Sequence, residues 1–222
     1  KYNATNFDFY DLTAIVRKDW IVEFCQKVIK KNWNITWQMP AGTRSEALDD
    51  ETLGLMVLSG QQMISYAPES GSAVTLQKIK KKIKVDRMKQ SIKSALSKDM
   101  KVKLNLMMGF PDETHKDMFR TLIFLKDAAV LGVNDAYVGA FAPYPGSELF
   151  DQLHKNGQIS NLDDKYFYNL SSNSDIFNSY SFSKHVSTAM LAFYRLGGMS
   201  MFYIISFILH PKRLFRLFSN II

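Results

Sequence analysis

A chain of 222 residues with 28 Lys and Arg against 21 Asp and Glu carries a formal charge of +7, and 46% of it is hydrophobic. That apolar share excludes a disordered chain, and the length suits one larger domain or a domain with an appendage. The single cysteine, Cys25, excludes an internal disulfide framework and any metal site built only from cysteines of this chain.

Asn6 to Tyr10 reads as a short strand. From Lys18 to Lys31 the apolar residues Trp20, Ile21, Phe24, Cys25, Val28 and Ile29 recur at three- and four-residue spacing, which predicts a helix with Cys25 as a small buried hydrophobe. Ile35 to Met39 is the next strand, and Asp49 or Asp50 caps a helix through Leu58. Met63 to Ala67 is a third strand. After it, Lys78, Lys80, Lys81, Lys82, Lys84, Arg87, Lys89 and Lys93 alternate with Leu76, Ile79, Ile83, Met88 and Ile92, the pattern of a helical pair with one buried face and one solvated face. No aromatic residue interrupts this run to stack on bases, so nucleic acid is not an expected partner. Val102 to Met108 is the most apolar strand. Thr114 and Asp117 have capping-box spacing and open a helix to about Leu131. Asp135 to Phe141 is the fifth strand, and Ser147 caps a helix that ends near Gly157.

Five strands, each followed by helix, imply right-handed βαβ units and a mostly parallel sheet. A full eight-fold barrel takes about 250 residues, whereas the pattern here occupies residues 1–157. The expectation is a partial barrel or an open doubly wound sheet, with the barrel favoured because informative polar residues recur where strands end. Those ends carry Asp11, Leu12 and Thr13, then Gln38 and Pro40 to Arg44, then Pro68 to Gly71, then Gly109 to Pro111, then Ala142 to Gly146. Turn chemistry alone accounts for much of the Gly and Pro. It accounts less well for an acid, a hydroxyl and an arginine delivered to one rim.

The segments FYDLTAI (Phe9 to Ile15), ITWQMPAGTRSEALD (Ile35 to Asp49), YAPESGS (Tyr66 to Ser72), LMMGFPDET (Leu106 to Thr114) and FAPYPGSELF (Phe141 to Phe150), in this order and spacing, resemble the radical S-adenosylmethionine enzymes, in the branch that also carries a cobalamin-binding domain. The resemblance implies an α/β fold, a partial parallel (β/α)6 barrel with its second to sixth strands present. It also implies S-adenosylmethionine, a [4Fe-4S] cluster and cobalamin as cofactors, and methyl transfer or a related rearrangement or cyclisation driven by reductive cleavage of S-adenosylmethionine to a 5′-deoxyadenosyl radical. By the same resemblance Glu69 and Ser70 contact the ribose and methionyl part of the cofactor. Gly109 allows close approach of the adenosine, and Ala142, Pro143 and Tyr144 meet the adenine. Gln38, Arg44 and Asp11 face the same mouth by position and are pocket candidates. An arginine such as Arg44 suits bidentate capture of a carboxylate, or an ion pair that holds its own loop.

The family holds its cluster on a CxxxCxxC loop after the first strand. This sequence has no such motif, and one cysteine satisfies neither a three- nor a four-cysteine cluster. The cluster ligands and the cobalamin domain are therefore expected outside this chain, as part of a longer parent. The alternative is a non-catalytic module, either a nucleoside-binding remnant or a membrane-peripheral adaptor.

Residues 158–183 lack periodicity and read as a cap or linker. Residues 184–222 read as a helical segment. Leu196 to Leu209 carries no charge, yet fourteen helical residues rise about 21 Å against a hydrocarbon core of about 30 Å. Beyond Pro211, Lys212, Arg213 and Arg216 stand among Leu214, Phe215, Leu217 and Phe218, the composition of an interfacial element. Two readings of 196–222 stand side by side: a hairpin packed on the barrel or on a sister subunit, and contact with a membrane surface. The expected partner is a small-molecule or lipid-like substrate. The expected location is cytoplasmic, at the inner membrane face if the tail touches lipid.

Overall fold

The computed structural model describes residues 2–10, 15, 17–43 and 48–214. Five strands, β1 (Asn6–Asp8), β2 (Thr36–Thr43), β3 (Gln61–Glu69), β4 (Lys101–Met108) and β5 (Asp135–Ala140), form one parallel sheet in sequential order. The helices are α1 (Lys18–Lys30), α2 (Asp50–Leu58), α3 (Ala73–Lys78), α4 (Val85–Ser97), α5 (His115–Leu131), α6 (Glu148–Lys155), α7 (Asp164–Ser171) and α8 (Thr188–Leu209). Sequential parallel order with a helix in each crossover curls the sheet into part of a barrel. This is the fold class expected from the sequence.

Strand periodicity places the core. On β4, Val102, Leu104, Leu106 and Met108 are buried, and on β5, Ala136, Val138 and Ala140 join them beneath the helices. The alternate residues face the other side, where Lys103 pairs with Asp135 at 3.3 Å. The helix termini follow their local chemistry. Asp49 accepts from the Thr52 amide at the start of α2, and Thr114 with Asp117 forms the full capping box of α5. A second apolar cluster of Phe110, Phe141, Phe150, Leu153, Ile159, Tyr166 and Phe182 lies beyond the strand ends, so the loops that leave β4 and β5 are packed rather than loose.

Three expectations change. β2 runs on to Thr43, through residues 40–43 that the sequence reading gave to a loop. The expected helical pair is present as α3 and α4, but Lys80, Lys81, Lys82 and Lys84 fall on the connecting residues 79–84, with Lys80 in the left-handed region at φ +56°. The charge-free stretch 196–209 is the latter part of a 22-residue helix that begins at Thr188. α8 buries Leu191, Arg195, Gly198, Phe202 and Ser206 as one stripe against α5 and β5. The Arg195 guanidinium is fully buried, and it donates to the carbonyls of Val138 (3.0 Å), Asp175 (3.0 Å) and Asn173 (3.0 Å) and to the Ser179 hydroxyl. The last strand and the cap segment 172–179 are thereby tied to α8. Residues 158–183 are partly ordered as α7 and a short 3-10 turn. The basic residue Arg216 and its apolar neighbours lie outside the described residues.

Candidate functional site at the carboxyl ends of the strands

Parallel α/β sheets present ligands with the carboxyl ends of their strands, and three consecutive strands here deliver predicted site residues to that rim. Glu69 is the last residue of β3 and is held at φ +67°, a conformation that a non-glycine residue keeps only where its surroundings enforce it. Its carboxylate accepts from Lys81 Nζ at 2.8 Å, on the loop that follows α3. The side chain keeps 19% exposure, so the acid is sheltered and still reachable.

Ser70 faces elsewhere. Its hydroxyl is buried, lies 3.1 Å from Thr121 Oγ1 on α5, and accepts from the Ser72 amide at 3.1 Å. Ser72 in turn donates to Asp117 Oδ1 at 2.7 Å. Burial raises the Asp117 carboxyl, but hydrogen bonds from Thr114 and Ser72 outweigh it and leave the group below the usual carboxylate range. Gly71 packs so tightly on α5 that a Cβ would stand 2.8 Å from Thr121 Cα and 2.9 Å from the Arg120 carbonyl. The segment after β3 is therefore clamped to α5, and that clamp sets the direction of Glu69.

Gly109 follows β4 at φ +93°, where a side chain is strained, and a Cβ there would meet Leu191 of α8 at 3.0 Å. Its amide donates to Glu113 Oε2 at 2.7 Å, with the Phe110 amide at 3.3 Å. Glu113 is buried, and its carboxyl is pushed up to about 7, chiefly by desolvation. The carboxylate is buried beside the Thr75 hydroxyl, whose interaction with it offsets part of that rise.

The loop after β5 continues the sheet pattern, the Phe141 amide donating to the Met108 carbonyl at 2.8 Å. Tyr166 of α7 donates its hydroxyl to the Pro143 carbonyl, so the cap pins the loop. Ala142 and Tyr144 border a cavity of about 280 Å³ with Ile79, Phe141, Leu149 and Gln152, roofed by Lys78 and Lys80. Three lysines of the 78–84 segment reach separate elements at this end of the sheet: Lys78 the Asp112 carbonyl in the loop after β4 (3.1 Å), Lys80 Glu148 at the start of α6 (2.6 Å), and Lys81 Glu69 at the end of β3 (2.8 Å).

Glu69, Gly109, Ala142, Pro143 and Tyr144 all lie at the carboxyl end of the sheet, but of these only Ala142 and Tyr144 line the cavity, and at Gly109, expected to leave room for a ligand, Leu191 fills that space and Glu113 takes the amide. Gln38 does not lie at this end. It pairs with Met63 in the sheet register, six residues short of Glu69, and its amide donates to Asp8 Oδ1 at 2.7 Å. It was expected at a strand end because β2 was expected to stop at Met39. With the strand continuing to Thr43, Gln38 sits low in the sheet beside a cavity of about 170 Å³ lined by Asn6, Asp8 and Thr36. Asp11 and Arg44 lie outside the described residues. Sequence reasoning missed Lys81 and Glu113. Nothing distinguishes Lys81 within a run of lysines, and Glu113 is overshadowed by the capping box that follows it.

Among the described residues no group of three His, Cys, Asp or Glu is arranged to hold a metal. Cys25 is buried on α1, and its thiol is pushed up by desolvation.

No family model matches the chain. It is 22% identical over 196 residues to an uncharacterized methyltransferase of Pyrococcus horikoshii, covering 87% of this chain and 42% of the relative. It is 30% identical over 136 residues to cytidylyl-2-hydroxyethylphosphonate methyltransferase of Streptomyces wedmorensis, covering 58% and 25%. The chain therefore spans less than half the length of these relatives. Among solved structures it resembles the radical S-adenosylmethionine methyltransferase TsrM of Kitasatospora setae, with a TM-score of 0.58 and 7% identity over 72% of this chain and 32% of that one. The sequential parallel sheet and the likeness to TsrM agree on the fold: the chain is similar to part of the barrel of a radical S-adenosylmethionine enzyme, and these two relatives that it resembles in sequence are methyltransferases.

Proposed function

We propose that this chain supplies the adenosyl-binding rim of a radical S-adenosylmethionine methyltransferase whose cluster-binding segment lies elsewhere in a longer protein. The observation that carries the reading is Glu69, held in the left-handed region at the end of β3 and joined through the lysine loop to the cavity bounded by Ala142 and Tyr144. A carboxylate in this position suits the two hydroxyls of a ribose, because charge-assisted hydrogen bonds are strong and directional. The apolar walls given by Ile79, Phe141 and Leu149 suit a flat base. Ser70 supports from behind, through Thr121, and Glu113 fixes the Gly109 turn.

A [4Fe-4S] cluster does not fit the residues of this chain, since a lone buried cysteine offers one sulfur and no second thiolate. Here the chain's own residues bind and orient, and the cluster chemistry belongs to the longer protein. The methyltransferase names of the relatives support methyl transfer as the reaction, and the structure of TsrM, described with cobalamin and a [4Fe-4S] cluster bound, supports a cobalamin-dependent version of it. The acceptor we infer is a small or lipid-like organic molecule entering over the same rim.

The test is release of 5′-deoxyadenosine by the longer protein after anaerobic reconstitution with iron and sulfide and addition of a reductant. The expected result is release that Glu69→Gln lowers about tenfold or more, in line with the loss of a charge-assisted hydrogen bond. Absence of 5′-deoxyadenosine from the reconstituted wild-type protein would overturn the reading.

A further inference from the structure

Away from the rim, the outer face made by α4, α5 and α8 combines two features. α5 exposes Phe119, Ile123 and Val130 on one stripe, next to the side that packs on α8 through Leu122, against which Gly198 closes. α8 exposes Phe193, Leu196, Ile204 and Ile208 on the side away from its buried Leu191, Arg195 and Phe202. The two helices run side by side in the same direction, His115 meeting Tyr194 at one end and Gly132 lying near His210 at the other, and each turns its apolar stripe to solvent. Monomeric proteins rarely leave so many large apolar side chains on one face without a purpose.

The charges around this face have one dominant sign. Lys116 and Lys126 straddle the α5 stripe, and Lys212 lies beyond the end of α8. On the other flank of α5, Lys89, Lys93 and Lys126 line a cavity of about 490 Å³ with Ile92, Phe124, Ala128 and Leu131; its one acid, Asp127, pairs with Lys89 (3.3 Å) and Lys126 (3.2 Å), so the lining keeps a net positive charge. α8 has no acidic residue, and its only cation, Arg195, is turned into the protein.

We propose that this face docks the protein on an anionic phospholipid surface, with the α5/α8 seam in the acyl boundary and the lysine-lined cavity against headgroups. Bulky apolar residues beside lysines are what such an interface selects. A second copy of the chain fits less well, because a two-fold interface opposes the same surface to itself, and Lys93, Lys116 and Lys212 outnumber the one acid of the cavity lining, Asp127, which Lys89 and Lys126 already engage. α8 has the length to cross a bilayer, at 22 residues or about 33 Å, but Arg195 and Phe202 weld it to β5 and α5, so it lies on the surface. The inference is independent of the adenosyl site.

Co-sedimentation with vesicles of phosphatidylcholine alone, and with one quarter phosphatidylglycerol added, tests it on this chain and on the longer protein. Binding is expected to the anionic vesicles only. The pair Lys93→Glu and Lys126→Glu should weaken it about 25-fold, at about fivefold for each lysine. The pair Ile204→Ser and Ile208→Ser should abolish it, while circular dichroism stays unchanged because all four side chains are exposed. The proposal is overturned by equal binding to neutral vesicles, by indifference to the lysine pair, by failure of the longer protein to bind, or by a dimer that dissociates in the isoleucine variant without any vesicle binding.

Discussion

Glu69 and Ser70 are adjacent in sequence and do different work. The first ends a strand and offers a sheltered carboxylate; the second turns into the packing against α5, where it meets Thr121. Ser70→Ala should therefore cost about 1 kcal/mol of stability, the net worth of an ordinary hydrogen bond, in chemical denaturation. It should leave cofactor affinity where it was. Glu113 makes a different prediction. Desolvation raises its carboxyl to about 7 in the folded chain, against an ordinary value of 4.5. Between those values the folded state binds more protons than the unfolded one, so stability falls as pH rises through the window, by up to about 3 kcal/mol. The neighbouring Thr75 hydroxyl favours the charged carboxylate and offsets part of the rise in its pKa. Glu113→Gln should flatten this slope in urea melts between pH 5 and 8, and an unchanged slope would show that the group titrates normally.

At the scale of elements, α5 and α8 set the geometry of the rim. α5 clamps the segment after β3 through Thr121, Asp117 and the close approach of Gly71, whose replacement by alanine would drive a methyl into helix backbone. Gly71→Ala should lower stability by about 1–3 kcal/mol. α8 depends on Arg195, whose removal leaves the carbonyls of Val138, Asp175 and Asn173 without their donor. Arg195→Met should lower stability by about 3 kcal/mol or more in thermal or denaturant unfolding. Arg195→Lys should not restore it, because an ammonium on a flexible stem does not reproduce the fork.

The same elements show what the sequence made legible. Helical periodicity located α1, the Asp49 cap located the start of α2, and Thr114 with Asp117 located α5. Strand ends were harder. β2 carries Pro40 in a stretch that local preference gives to a loop, yet pairing with β3 extends it to Thr43 and leaves Gln38 far from the mouth. The lysine run reads as amphipathic helix, yet α3 ends at Lys78, and Lys80 and Lys81 beyond it reach Glu148 of α6 and Glu69 of β3. Arg195 directly precedes the charge-free stretch 196–209. Its spacing from Leu191, Gly198 and Phe202 does mark it as part of the buried stripe, but its polar partners lie in segments distant in sequence.

At the scale of the whole molecule, five parallel strands bring the ends of β3, β4 and β5 to one rim, and the second apolar cluster stiffens the loops above it. If that rim is where an adenosyl group sits, rigid delivery of Glu69 matters more than the identity of any one lining residue. Calorimetric titration of S-adenosylmethionine into this chain, beside Glu69→Gln and Ser70→Ala, measures this directly. A single saturable site is predicted, weakened about tenfold by the first substitution and untouched by the second. Absence of saturation, or equal affinity in the wild type and the glutamine variant, would contradict it.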